Sequence, residues 1–370
     1  MAGIAGCNVV ERMLAPMFDL SQADLEQLVI HKVGNKMREE GFIVSPGLCR
    51  LADANVEELL LKYFLSSFKD KTVYKFSHET DLHLHEVYMY ASAIFINKQV
   101  FYEQSVNILK HLYEKSSHPQ VKGGECYLAY LSGCVVEGQV VDAVGIFKTE
   151  NKDNYLKVAN HGNTFALYAE QGINIKKLDK GCLIFNLESV DGYRIALVDN
   201  VNKGNEAAVY WQEEFLHLAN VQDEYFHTQH YLDCCHDFAT NIYGPLHQAD
   251  KKDQVVFMND AVAYFDQNRE FTMEGFIQSV VKEPELAAQF REHKEMFDQN
   301  QGVPPAESFS ISSEAVKTVR RKLKNLIKLD TSIEIRVKTP AESDNAGYIE
   351  RGYDAQKGMH FYKVFFNAEE

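Results

Sequence analysis

The sequence predicts an α+β protein: a mostly antiparallel sheet domain with packed helices, an acidic helical middle segment, and a small α+β module at the C-terminal end. Three observations predict it. Phe101, Ser105, Ile108 and Leu112 recur at helical spacing, with Tyr102, Val106, Leu109 and Tyr113 beside them, so this helix has enough apolar face to pack under a sheet. The stretches CYLAYLSGCVVEGQ, VDAVGIFKTENKDNYLKV and CLIFNLESVDGYRIALVDN read as strands, punctuated by Glu-Gly, Asp-Asn and Asp-Gly dipeptides that suit hairpin turns. Beyond Lys203-Gly204-Asn205 the residues change to helix formers, from WQEEFLHLANVQDEYFHTQHYLDCCHDFATNIY through Phe297.

Taken in order, residues 1–16 are expected as a disordered extension, with Met17 a candidate alternative start. From Leu25 to Leu51 the pattern gives two strands around a polar turn at Gly34–Gly41, and 55–69 has helical spacing in Val56, Leu59, Leu60, Tyr63 and Phe64. Asn97 is placed to cap the central helix, which Pro119, Gly123 and Gly124 stop. These elements and the strand series assign 17–200 to one α+β sheet domain. Residues 201–303 form the acidic helical region, closed by the linker-like GVPP at Gly302–Pro305. Residues 304–370 read as a β-α-β-β module: FSIS, a basic helix over 313–329 capped by Ser312, the alternating IEIRVK, and HFYKVFF after a long polar turn.

A chain of 370 residues, 45% hydrophobic, with 23 Phe and 19 Tyr, can bury a large core. Its formal charge of -15 argues against coating nucleic acid or anionic lipid with the whole surface, so any such contact must be a local patch. Seven cysteines, odd in number and without a CxxC pair, suit free thiols in a reducing compartment. MAGIAGCNVVERMLAP lacks the form of a signal peptide and no apolar run approaches 18 residues, so a cytoplasmic location is expected.

The acidity is concentrated between 201 and 310, with 7 Lys/Arg against 19 Asp/Glu, which reads first as a solvated helical face. The opposite island lies between 317 and 338, where 8 basic residues face 2 acidic ones. On a helix Lys317, Arg321, Lys324 and Lys328 form one stripe, while Val316, Val319, Leu323, Leu326 and Ile327 cover another face. A helix buried on one side and basic on the other can track phosphates, and the bland reading is a solvated face or one docked on the chain's own acidic helices. Two histidine groups invite a metal: Asp81, His83, His85 and Glu86, and His227, His230, Asp233 and His236. Neither has the spacing of a zinc site, so no metal or cofactor is expected. GxxxxGK[ST], GxGxxG and GxSxG are absent, and Cys234–Cys235 beside His236 read as packing residues, so no catalytic residue is assigned.

LVIHKVGNK, the run from YKFSHETDL through VFYEQSVNILKHLYEKSSHPQVKGGE, GIFKTENKDNYLKV and GYRIALVDN together resemble the bacterial 37-kDa nucleoid-associated protein family, most closely its Bacteroides-type members, over roughly residues 20–365. The resemblance implies a non-enzymatic, cytoplasmic protein of the nucleoid with double-stranded DNA as partner. It supplies no site motif, so the candidate DNA contacts rest on the basic island: Lys317, Arg320, Arg321, Lys324, Lys328, Arg336 and Lys338, without sequence readout. Set against the acidity of the whole chain, this small surface would work doubled in a homodimer. The alternative is an interaction module whose acidic helices, around Glu213, Glu214, Asp223 and Glu224, recruit a basic nucleoid protein or a DNA-processing enzyme without direct DNA contact.

Overall fold

The computed structural model describes residues 18–69, 72–162, 164–201, 210–246, 251–323, 326–336 and 349–366. The expected N-terminal extension at 1–16 therefore lies outside the described residues. The chain divides into two compact units, Met1–Val221 and Gln222–Glu370.

The first unit is built on a nine-stranded antiparallel sheet, as the fold class requires. Its strands are β1 (Phe18–Asp19), β2 (Asp24–Val33), β3 (Phe42–Ile43), β4 (Tyr74–Phe76), β5 (Gly124–Val136) and β6 (Gln139–Thr149). After an excursion into β7 (Asp153–His161) and β8 (Thr164–Gly172), the sheet resumes with β9 (Lys180–Phe185), β10 (Arg194–Asp199) and β11 (Leu218–Asn220). The spatial order is β11-β4-β10-β9-β6-β5-β2-β3, with β1 also pairing with β5. The Glu-Gly turn joins β5 to β6: Glu137 and Gly138 take φ of 50° and 76°, the doubly left-handed geometry that matches strand twist. Asp153-Asn154, by contrast, opens β7 and makes no turn.

Both faces of the sheet are covered, which is why its strands carry apolar residues at successive positions. Helix α1 (Ala54–Leu65) covers one face; on the other, Leu128, Tyr130, Val144, Ile146, Cys182, Ile184 and Ile195 pack against Val87, Ala91 and Ile94 of α2 (Glu86–Ile96) and Phe101, Ile108 and Leu112 of α3 (Phe101–Lys115). The alternate residues Tyr127, Ala129, Phe147, Leu183 and Phe185 meet α1 through Tyr63 and Phe64. Phe64 stacks flat on Phe147 at 4.1 Å. Within α1, Val56 and Leu59 remain exposed although they share the apolar pattern. Asn97 caps the short 3-10 turn that leads into α3, its side chain accepting from Gln99 N at 3.1 Å. Tyr210, Trp211, Phe215 and Leu216, on the segment before β11, complete the helix-covered face.

The second unit is mainly helical: α4 (Glu224–Phe238), α5 (Lys251–Gln267), α6 (Pro284–Gln301) and α7 (Ser313–Lys322). Its core is aromatic, with Tyr231, Phe238, Phe257, Phe265, Phe271, Phe276 and Phe290 buried together. Strand β12 (Glu270–Thr272) pairs with β13 (Ser308–Ser310), and two further hairpins follow: β14 (Leu326–Lys328) with β15 (Glu334–Arg336), and β16 (Ile349–Asp354) with β17 (Met359–Val364). Among the described residues no helix is long and apolar enough to cross a membrane.

Candidate nucleic-acid interface

The basic helix α7 is held at its start by Ser312. The Ser312 hydroxyl accepts from Ala315 N at 3.4 Å, and Ser312 N donates to Thr228 Oγ1 of α4 at 3.0 Å. Ala315, Val316 and Val319 are buried in the aromatic core, and this fixes the rotation of the helix. Lys317, Arg320 and Arg321, at spacings of three and four, are consequently exposed, as is Lys322. Arg320 forms an ion pair with Asp266 of α5 at 2.9 Å, between two half-exposed side chains, where such a pair contributes little to stability. Arg320, Arg321 and Lys322 also fill the last turn, where the free carbonyl end of the helix favours cations whether or not a ligand is present.

The helix is shorter than its apolar period suggests. It ends at Lys322, Leu323 turns to an extended conformation, and Leu326–Lys328 pair with Glu334–Arg336 in place of continuing to 329. The hairpin closes where Leu329 N donates to Ile333 O at 2.9 Å and Ser332 N to Leu329 O at 3.2 Å, with Ser332 at a φ of 62°. Asp330-Thr331-Ser332 supplies turn chemistry, and Ile333 and Ile335 favour extended backbone, so a strand pair displaces the last helical turns. The four-residue stripe is thereby divided. Lys317 and Arg321 stay on α7, Lys328 lies on β14 opposite Glu334, and Arg336 lies on β15 opposite Leu326. Lys324 and Lys338 lie outside the described residues.

Next to the basic turn, a cavity of about 460 Å³ is lined by Asp233 and His236 of α4, Lys251 and Met258 of α5, and Val319 and Lys322 of α7. Burial raises the Asp233 carboxyl above its ordinary value, with Lys322 and the nearby histidines opposing the rise. His230, from the same group in the sequence, is engaged elsewhere: its Nε2 lies 2.7 Å from Asp298 Oδ1, and the buried Lys294 ammonium donates to that carboxylate at 2.6 Å. In the first unit Asp81 and His85 serve as helix caps, accepting from His83 N at 2.9 Å and from Tyr88 N at 3.1 Å. Among the described residues no group of three or more His, Cys, Asp or Glu is placed to hold a metal ion. Cys234 and Cys235 are buried, and desolvation pushes the Cys234 thiol up to about 12.

Sequence reasoning missed the buried charges of the first unit. Lys148 on β6 and Lys180 on β9 are cross-strand partners and fully buried, with Glu150, Asp199 and the Tyr210 hydroxyl around them. The one available signal was a lysine inside an otherwise apolar strand, in GIFKTE. Among curated proteins nothing matches the chain. The family model described as nucleoid-associated protein YejK (NA37) matches residues 29–355, most of the chain, and the chain belongs to that family of nucleoid-associated proteins.

Proposed function

We propose that the chain is a non-enzymatic protein of the nucleoid that binds double-stranded DNA through its phosphates, without strong sequence specificity. The contacts are assigned to Lys317, Arg320, Arg321, Lys324, Lys328, Arg336 and Lys338. The observation that carries the reading is the exposure of Lys317, Arg320 and Arg321 together on one side of a helix whose other side is locked into the core, in a chain of a nucleoid-associated family. Cations on a helix anchored in the core displace condensed counterions from a duplex as they meet its phosphates. Because the rest of the chain is acidic, the patch is small, and two copies would double it.

Fluorescence anisotropy of a labelled duplex, titrated at several salt concentrations, tests this. Saturable binding is expected, with affinity falling steeply as salt rises at a slope of about -0.9 per phosphate engaged. The double charge reversal Lys317→Glu with Arg321→Glu is expected to weaken binding uniformly across sequences and to reduce the slope by about 2. An unchanged affinity and slope would remove these residues from the interface. Absence of binding at low salt would defeat direct DNA contact and leave recruitment of a basic protein by the acidic helices as the route to the nucleoid.

A further inference from the structure

Strands β7 and β8 leave the main sheet between β6 and β9 and, among the described residues, pair only with each other, nine residues against nine from Asp153↔Gly172 to His161↔Thr164. The ribbon is about 30 Å long. Its two faces differ. On one, Tyr155 donates to Glu170 at 2.7 Å, Lys157 reaches the same carboxylate at 3.3 Å, and His161 meets the Tyr168 hydroxyl at 3.0 Å. Gly172 belongs to this face and a Cβ there would come within 2.9 Å of the Tyr155 ring, so the ring lies across it. This side satisfies itself.

The other face is apolar and bare. Leu156, Val158, Phe165 and Leu167 are 71%, 62%, 76% and 67% exposed. Register places them side by side, Val158 opposite Leu167, with Asn160 toward the tip and the Asn154–Gln171 pair at the base. An isolated two-stranded ribbon is marginal in water, and a contiguous uncovered apolar face marks an interaction site.

We propose that this face is the self-association surface of the chain, covered by the same ribbon of a second copy. Charge selects the occupant. No residue on the face is ionisable, so it offers DNA phosphates no counter-charge, and in a chain of formal charge -15 it is a place where two copies approach without direct charge repulsion. The polar groups fit the same answer. Primary amides donate and accept, so a two-fold arrangement sets the tip Asn160 of one copy against the base amides of the other, identical surface on identical surface. Area sets a condition: the four side chains expose roughly 400–500 Å² per copy, so two faces bury at most roughly 800–1,000 Å², and the open strand edges and flanking amides must supply the rest of the roughly 1,000–1,200 Å² that a stable interface needs.

Light scattering of the full chain on a sizing column, from low to high micromolar concentration, tests the proposal. The expected mass is twice the 42.2 kDa of one chain, falling to a single chain in the double variant Leu156→Lys with Phe165→Lys. Lys157→Ala, on the polar face, leaves the dimer intact. All three side chains are exposed, so each variant is expected to fold, with the native emission of the buried Trp211 unchanged. A wild-type chain that stays single across the range overturns the proposal and assigns the face to a different protein. A double variant that remains dimeric overturns it by placing the dimer contact elsewhere. A double variant of unchanged mass that loses DNA affinity overturns it in favour of a nucleic-acid contact.

Discussion

Acidification from pH 7 to pH 4 is expected to withdraw about 6 kcal/mol from the stability of the first unit, about 3 for each of two buried histidines. His31 on β2 and His85 at the start of α2 are both buried, and desolvation lowers each to about 4. The bonds accepted at Nδ1 act in the same direction, while the Leu216 carbonyl at His85 Nε2 opposes it. His31 Nδ1 accepts from Ser45 N at 3.0 Å and its Nε2 meets Ser105 Oγ at 3.1 Å; His85 Nδ1 accepts from Tyr88 N at 3.1 Å and its Nε2 meets Leu216 O at 3.0 Å. Each ring is thus fixed as the neutral tautomer protonated on Nε2, and protonating Nδ1 would cost a backbone acceptor as well as burying a charge. At His85 that charge would also sit at the positive end of a helix.

The sign follows from the folded values lying below the unfolded one. As pH falls below about 6.5 the unfolded chain takes up protons that the folded chain refuses, so stability present above that pH is lost progressively down to about 4. Carboxylates lowered in this unit, such as Asp191 between Lys75 and Arg194, add to the loss only below their ordinary range, so the window from pH 6.5 to 5 belongs to the histidines. In the second unit the raised Asp233 and Glu224 oppose the lowered His227 and His293, and a weaker dependence is expected. Trp211, the one tryptophan, is buried in the first unit and reports on it alone. Urea titrations followed by its fluorescence are expected to lose about 1 kcal/mol per histidine by pH 5.5. His85→Asn keeps a capping acceptor without a titrating ring and is expected to remove about 1 kcal/mol of the loss by pH 5.5, leaving the shares of His31 and of His111, which burial also lowers. A flat profile between pH 7 and 5, or one that the substitution leaves unchanged, would contradict the assignment.

What the sequence made legible and what it hid follow from where each signal originates. Alternation of apolar residues, the Glu137-Gly138 turn and the cap at Ser312 are local, set by backbone geometry over a few residues, and they appear where the pattern placed them, whereas Asn97 caps the 3-10 turn before α3 and not α3 itself. The end of α7 was hidden because Leu326 and Ile327 satisfy a helical period and a strand equally, and the hairpin closed by Leu329 and Ser332 decides between them. Burial is a tertiary property and misled in both directions. Alternation in β7 and β8 shows that one face is apolar but not that it stands uncovered, and Lys148 and Lys180 read as solvent-facing until the strands beside them are known. For the candidate DNA contacts, composition located the basic island, while the division of its residues between a helix and a hairpin depended on pairing between segments eight residues apart.

Lys148→Ala is expected to destabilise the first unit by about 3–5 kcal/mol, the cost of leaving a buried counter-charge without its partner. The Lys148 ammonium donates to Lys122 O at 2.7 Å, Glu150 Oε1 at 2.8 Å and the Tyr210 hydroxyl at 3.0 Å, which uses all three of its protons. Burial lowers its pKa while Glu150 pulls the other way. The Glu150 carboxylate is as buried as the lysine, and Asp179 holds its backbone in place by accepting from Glu150 N at 2.7 Å and Asn151 N at 2.8 Å. Removing the ammonium strands that carboxylate, with the Tyr210 hydroxyl at 3.3 Å left as its side-chain donor among the described residues. Lys180 cannot take over, because its own ammonium is bonded to Asp199 and held over the Tyr210 ring at 5.1 Å. If the loss comes from the stranded charge and not from the missing methylenes, neutralising the partner should restore most of it. Lys148→Ala with Glu150→Gln is therefore expected to be more stable than Lys148→Ala alone by about 2 kcal/mol or more in urea titrations read by Trp211. A double variant no better than the single one would mean that Lys148 contributes through packing, and the charge network would then be incidental to the stability of the sheet.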